Sequence, residues 1–88
     1  TVVAPPWNFP LAIPAGGVLA ALAAGSGVVF KPAPQSRCCA AVIAETLWQA
    51  GIPRDVLALV DIEEGELGRT LVAHESVDRV ILTGSWET

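Results

Sequence analysis

Few side chains in this sequence are placed to do chemistry, and Lys31 is the first of them. It follows the uninterrupted apolar run Val28-Val29-Phe30 and is followed at once by Pro32 and Pro34. A β-branched and aromatic run without polar breaks reads as a strand buried on both faces, as in a parallel sheet covered by helices. Lys31 then sits at the carboxyl end of that strand, the edge where open α/β sheets bind ligands. An ammonium held there is suited to a hydroxyl or a phosphate, although a lysine at a strand end also snorkels with no ligand at all. Asn8 lies in the turn Pro6-Trp7-Asn8-Phe9-Pro10, where an asparagine side chain commonly satisfies turn backbone.

The other reactive side chains point to no chemistry. Cys38 and Cys39 are adjacent. Neighbours on a helix point about 100° apart, so the two make neither a metal pair nor a CxxC redox motif. They read as buried small apolar residues. His74 falls near the end of a helix, where a partly charged imidazole is mildly stabilising. Glu63, Glu64 and Glu66 read as a solvated loop, and no metal site is expected.

The elements that must position Lys31 and Asn8 follow from periodicity and punctuation. Thr1 to Ala4 is a short strand-like entry cut off by Pro5-Pro6. A helix runs from about Leu11 to Ala24, with Pro14 tolerable in its first turn and Gly25 as its cap. It is small and apolar nearly all round, which describes a buried helix. After the Val28–Phe30 strand, Ser36 is placed to cap a second helix that reaches about Ala50, stopped by Gly51 and Pro53. Val56 to Val60 is a third apolar strand of the same buried type. A third helix spans Gly65 to about His74, with Leu67 and Leu71 one turn apart, and Val80-Ile81-Leu82 is a fourth strand. The order β-α-β-α-β-α-β predicts an α/β fold: a Rossmann-like parallel sheet with right-handed crossover helices. No helix follows the turn at Gly84-Ser85, so residues 1–88 read as an incomplete domain.

Bulk composition agrees. The chain has 88 residues, a formal charge of −4, 52% hydrophobic and 16% charged residues, and a mean hydropathy of +0.54. A small domain standing alone needs a polar skin, and this one has little from which to make it. Several apolar faces are therefore expected to meet further protein. The isolated chain is expected to oligomerise, aggregate or fold only loosely. With no basic patch, nucleic acid is not an expected partner. The longest apolar run is too short and too interrupted for a membrane span. The absence of a disulfide framework suits a reducing, cytoplasmic setting.

No GxGxxG is present. Instead the three runs Pro6-Trp7-Asn8-Phe9-Pro10, Lys31-Pro32-Ala33-Pro34-Gln35-Ser36 and Leu82-Thr83-Gly84-Ser85-Trp86-Glu87, in this order and at these intervals, resemble the aldehyde dehydrogenase superfamily. The resemblance covers the whole chain. Asn8-Phe9-Pro10-Leu11-Ala12-Ile13, the Ala-rich helix and Gly84-Ser85-x-Glu87 are most similar to its glutamate-semialdehyde (1-pyrroline-5-carboxylate) dehydrogenase branch, including the dehydrogenase half of bifunctional proline-oxidising enzymes.

The resemblance implies a partial NAD(P)-binding domain of an enzyme that oxidises glutamate semialdehyde to glutamate in proline catabolism. Asn8 is implied as an oxyanion-hole donor; Pro6, Trp7 and Ala33 as cofactor-side residues; and Lys31 as a partner of the adenosine ribose hydroxyls. Ser85, with Gly84 allowing close backbone approach, is implied at the pyrophosphate, and Gly65 in a loop near adenine and phosphates. The family's catalytic cysteine and general-base glutamate are implied outside these residues, so the chain alone is expected to be inactive. Its partners are the remainder of the fold and a dinucleotide, with a homo-oligomer expected. Where many NAD-preferring members carry a glutamate, this chain has Pro34, and Ser36 is near enough in sequence to donate to a 2′-phosphate. NAD is the expected cofactor, with NADP open. A non-catalytic nucleotide-binding or interaction module, and an enzyme for another aldehyde such as succinate semialdehyde, are the alternatives.

Overall fold

A computed structural model describes residues 1–62 and 65–85. Strand β1 (Val2–Ala4) leads to helix α1 (Ala12–Ala23) and strand β2 (Val28–Phe30). A 3₁₀ turn at Pro34–Ser36 then opens helix α2 (Arg37–Gln49), followed by strand β3 (Leu57–Leu59). Helix α3 (Glu66–Ala73) and strand β4 (Val80–Leu82) complete the order. Each helix ends where its punctuation predicts. Gly25 and Gly51 take φ of +84° and +112°, which lets the chain turn out of α1 and α2 without the penalty a Cβ would carry.

The four strands are all parallel, in the order β3-β2-β1-β4. Two crossovers carry the chain outward from β1 to β3, and the third returns it to the far side of β1. Right-handed crossovers place α1 and α2 on one face and α3 on the other. Parallel partners share a face, so Val3, Phe30 and Leu59 point the same way as Ile81. That face carries the core. Val3, Val28, Phe30 and Leu57 meet Val18 and Ala21 of α1 and Ala40 of α2, with Ile43, Leu47 and Trp48 packed around them. Gly17 brings α1 down on the sheet. A Cβ there would stand 3.0 Å from Val3 Cγ1, so a side chain would require Val3 or the helix to give by a few tenths of an ångström. The indole of Trp48 donates to the Leu57 carbonyl at 2.9 Å, and Arg54 stacks over its ring at 4.0 Å, tying α2 to the start of β3.

The other face is thinner than the sequence suggests. β1 is buried at all three positions. Ala58 in β3 is exposed, and every residue of β4 is exposed. Helix α3 buries Gly68 and leaves Leu67 65% exposed. The run in β3 is as apolar as that in β2, but it forms a sheet edge at which no described residue covers Ala58. Helix α1 likewise buries one stripe, Pro14, Val18 and Ala21, and leaves Leu19 exposed rather than being enclosed all round.

Two local expectations are corrected. Ser36 stands at the N-cap of α2 but makes no side-chain cap, because its hydroxyl donates back to the Ala33 carbonyl at 3.2 Å. Cys38 is exposed and Cys39 half-buried, since both lie on the first turn of α2 away from the sheet. Glu63, Glu64 and Glu87 lie outside the described residues.

Candidate functional site

Parallel strands all end on one edge, and here three of those ends converge. Below the loops after β1, β2 and β4 lies a cavity of about 630 Å³, a size typical of small-molecule sites. Ala4 to Phe9 supply one wall, Lys31 and Ala33 a second, and Leu82 to Ser85 a third, with Ile13 from α1 closing the base. β1 is the strand at which the winding direction reverses, because β2 lies on one side of it and β4 on the other. A crevice opens at such a reversal because the loops leave in opposite directions, and open α/β sheets bind ligands there.

Lys31 is fixed by the ladder. Its amide donates to the Val3 carbonyl at 2.9 Å, so the residue begins at the last rung between β2 and β1. Only 9% of it is exposed. Among the described residues no acceptor takes a hydrogen bond from its ammonium, and no buried side-chain polar atom is left without a partner. The stem is therefore packed while the charged head keeps access to the cavity. Among the described lining residues it is the only ionisable side chain, so those residues give the pocket a positive charge in a chain of net charge −4. That favours an anionic or hydroxyl-rich ligand.

The wall after β1 is a loop rather than a regular element. Proline at 5, 6 and 10 removes backbone donors and stiffens it, leaving Trp7 61% exposed and Asn8 exposed beside it. The third wall begins where the Thr83 amide donates to the Ala4 carbonyl at 3.2 Å, after which Gly84 and Ser85 leave the ladder into the lining.

The structure thus gathers Pro6, Trp7, Asn8, Lys31, Ala33, Gly84 and Ser85 around one cavity. Gly65 is not among them; it takes φ +120° at the start of α3, outside the lining. Phe9, Ile13 and Thr83 also line it; they stand within the motifs quoted from sequence but were given no role there. The described residues contain no group of His, Cys, Asp or Glu able to hold a metal, and no helix long and apolar enough to cross a membrane.

The donor set fits a dinucleotide. A buried-stem ammonium and small residues at strand ends can meet phosphates and ribose hydroxyls, and an exposed indole offers a flat apolar face.

The chain is 42% identical over 87 residues to 1-pyrroline-5-carboxylate dehydrogenase of Staphylococcus aureus, covering 99% of this chain and 17% of the relative. It is 41% identical over 83 residues to N-succinylglutamate 5-semialdehyde dehydrogenase of Sphingopyxis alaskensis, covering 94% of this chain and 17% of the relative. It is 43% identical over 82 residues to 2,5-dioxopentanoate dehydrogenase of Saccharolobus solfataricus, covering 93% and 17%. A crystal structure of a mutant Proline Utilization A from Bradyrhizobium japonicum superposes with a TM-score of 0.92 at 48% identity, covering 98% of this chain and 9% of that one. The chain therefore spans about a sixth of the length of the curated relatives it matches. The sequence model of the aldehyde dehydrogenase family matches residues 1–88, from the first residue of this chain to the last, and the chain belongs to that family.

Proposed function

We propose that this chain supplies the dinucleotide-binding edge, and one catalytic donor, of an NAD(P)-dependent aldehyde dehydrogenase acting on glutamate semialdehyde. The observation that carries the proposal is the single cavity that joins Asn8, Lys31 and the Gly84-Ser85 turn at the reversal point of the sheet. When bound, the nicotinamide supplies a hydride acceptor. This chain's own residues do the holding and the stabilising. Lys31 donates from the end of β2 to ribose hydroxyls, and its ammonium offsets part of the charge of the pyrophosphate. Gly84 and Ser85 let backbone and hydroxyl approach the phosphates closely. Trp7 and Pro6 line the same wall and offer the cofactor apolar surface. Asn8 presents its amide to the oxygen of the aldehyde while a thiolate from elsewhere in the enzyme adds to the carbon. A donor fixed before charge appears on that oxygen costs no reorganisation when it does.

The substrate assignment rests on the relatives. Their names share a chemical theme, the semialdehyde of a short dicarboxylic acid or its cyclised form. The structural neighbour belongs to proline utilisation. NAD is the assigned cofactor, and assembly with further copies of the full chain is expected from the uncovered apolar faces.

The test is dinucleotide reduction by the full-length protein that carries this segment. Glutamate semialdehyde is expected to outpace succinate semialdehyde in kcat/KM. Binding of dinucleotide without reduction by any semialdehyde would return the chain to a nucleotide-binding module.

A further inference from the structure

Lys31 is the only lysine in the sequence. The other strongly basic side chains, Arg37, Arg54, Arg69 and Arg79, are all exposed and all lie outside the cavity lining. The one primary amine borne on a side chain is thus the one basic group drawn in from the surface. Its nitrogen is nonetheless open to the cavity. Among the described residues no acceptor takes a hydrogen bond from it, yet no buried side-chain nitrogen or oxygen lacks a partner. Both hold only if the nitrogen meets open space, and the space that Lys31 lines is the cavity.

A primary amine does what a guanidinium does not: it condenses with a carbonyl. The ammonium first gives a proton to solvent, and the nitrogen lone pair then adds to the aldehyde carbon. A C–N bond forms as the carbonyl opens to a hydroxyl. That hydroxyl leaves as water when its C–O bond breaks, and the product is an imine at the same overall oxidation level. Protonation of the imine nitrogen restores the positive charge. An anionic group on the same aldehyde is therefore paired with a cation both before and after the bond forms. No carboxylate among the described lining residues opposes it. Trp7 and Phe9, 61% and 59% exposed on the facing wall, offer apolar surface to the rest of the molecule.

We propose that Lys31 is a carbonyl-condensation site, whose amine forms a reversible imine with aldehydes that carry an anionic group when no dinucleotide is bound. The condensation rests on the amine and its cavity alone. That the adduct excludes the dinucleotide rests on the reading of Lys31 as a ribose partner. On that reading an excess of the enzyme's own class of substrate restrains it, because an aldehyde joined to Lys31 stands where the ribose must sit.

Chemical trapping on the full-length protein tests it. The probe is pyridoxal 5′-phosphate, an aldehyde bearing a phosphate; borohydride then fixes any imine as a secondary amine, and peptide mass spectrometry reads each lysine. Lys31 is expected to be labelled at about one-tenth of the concentration that labels the protein's other lysines. Pyridoxal, which lacks the phosphate, is expected to need about tenfold more, the scale of one charge-assisted contact. Saturating NAD is expected to cut labelling of Lys31 about tenfold and to leave the other lysines unchanged. Lys31→Arg keeps the cation but cannot condense, so treatment with the probe is expected to cost this variant none of its calorimetric NAD binding. Labelling of Lys31 no stronger than that of surface lysines, or equal labelling by the two aldehydes, would overturn the inference. Calorimetric binding of NAD to the same protein would then leave the dinucleotide reading standing. Selective labelling that NAD does not slow would keep the condensation site and sink the ribose reading instead.

Discussion

On one side of β1 lie β2 and β3, with α1 and α2 packed across them around Phe30, Leu57, Val18 and Val28. On the other lies β4 alone, exposed along its length, with α3 resting lightly on the opposite face. Both sides contribute to the cavity: Lys31 and Ala33 come from the packed side, and Leu82 to Ser85 from the sparse one. The contrast separates two ways of positioning a functional group. Lys31 lies at the end of a strand buried in the core, whereas the Gly84-Ser85 turn follows a strand exposed along its length.

The comparison breaks most visibly at Phe30, which is fully buried in the packed half. Phe30→Ala is expected to destabilise by about 3–5 kcal/mol, because the cavity it leaves is walled by both helices. Denaturant unfolding of the full-length protein measures this, and a loss below about 1 kcal/mol would mean the packed half is not the stabilising one. Next in size is Asn8→Ala. It is expected to lower kcat about 10²- to 10³-fold while dinucleotide affinity holds, since the donor matters only once charge develops on oxygen. Unchanged turnover would return Asn8 to a turn residue. Lys31→Ala follows, raising the KM for NAD(P) about tenfold with little change in kcat. A fall in kcat of the same size would move Lys31 out of the ribose site. The smallest effect belongs to the sparse half. Leu67 is 65% exposed, so Leu67→Ala is expected to shift stability by no more than about 0.5 kcal/mol. A larger loss would show that protein beyond this segment covers α3.

Local signals made the element order readable. Pro5-Pro6, Gly25, Gly51 and Pro53 stop elements wherever they occur, and the apolar runs between them have strand or helix lengths. The position of Lys31 at a strand end followed from three residues on either side of it. Strand order did not follow, because whether a crossover lands beside β2 or beyond β1 depends on contacts far away in sequence. The exposure of Ala58 and of β4 is the direct result: an apolar strand at a sheet edge reads like one in the middle. Ser36 misled for the opposite reason. Its spacing suits a cap, but the nearby Ala33 carbonyl competes for the same hydroxyl and wins. Gly65 was assigned by motif position, and the structure sets it at the head of α3, outside the lining.

The strand order also has a consequence for how the sheet is made. β1 is the first strand of this segment to be synthesised and ends up flanked on both sides, by β2 soon after and by β4 only once Val80 to Leu82 exist. Until then one edge of the site's reversal strand is unpaired, and the Val3–Ile81 rung spans nearly the whole segment. Pairings of such high contact order form late, because the entropy of closing the intervening loop must be met before any contact rewards it. The packed half can therefore assemble around β1 and β2 while the crevice still lacks its third wall. For this segment the binding edge is among the last parts of the fold to exist, and a slow step that closes β4 onto β1 is a slow step in making the site competent.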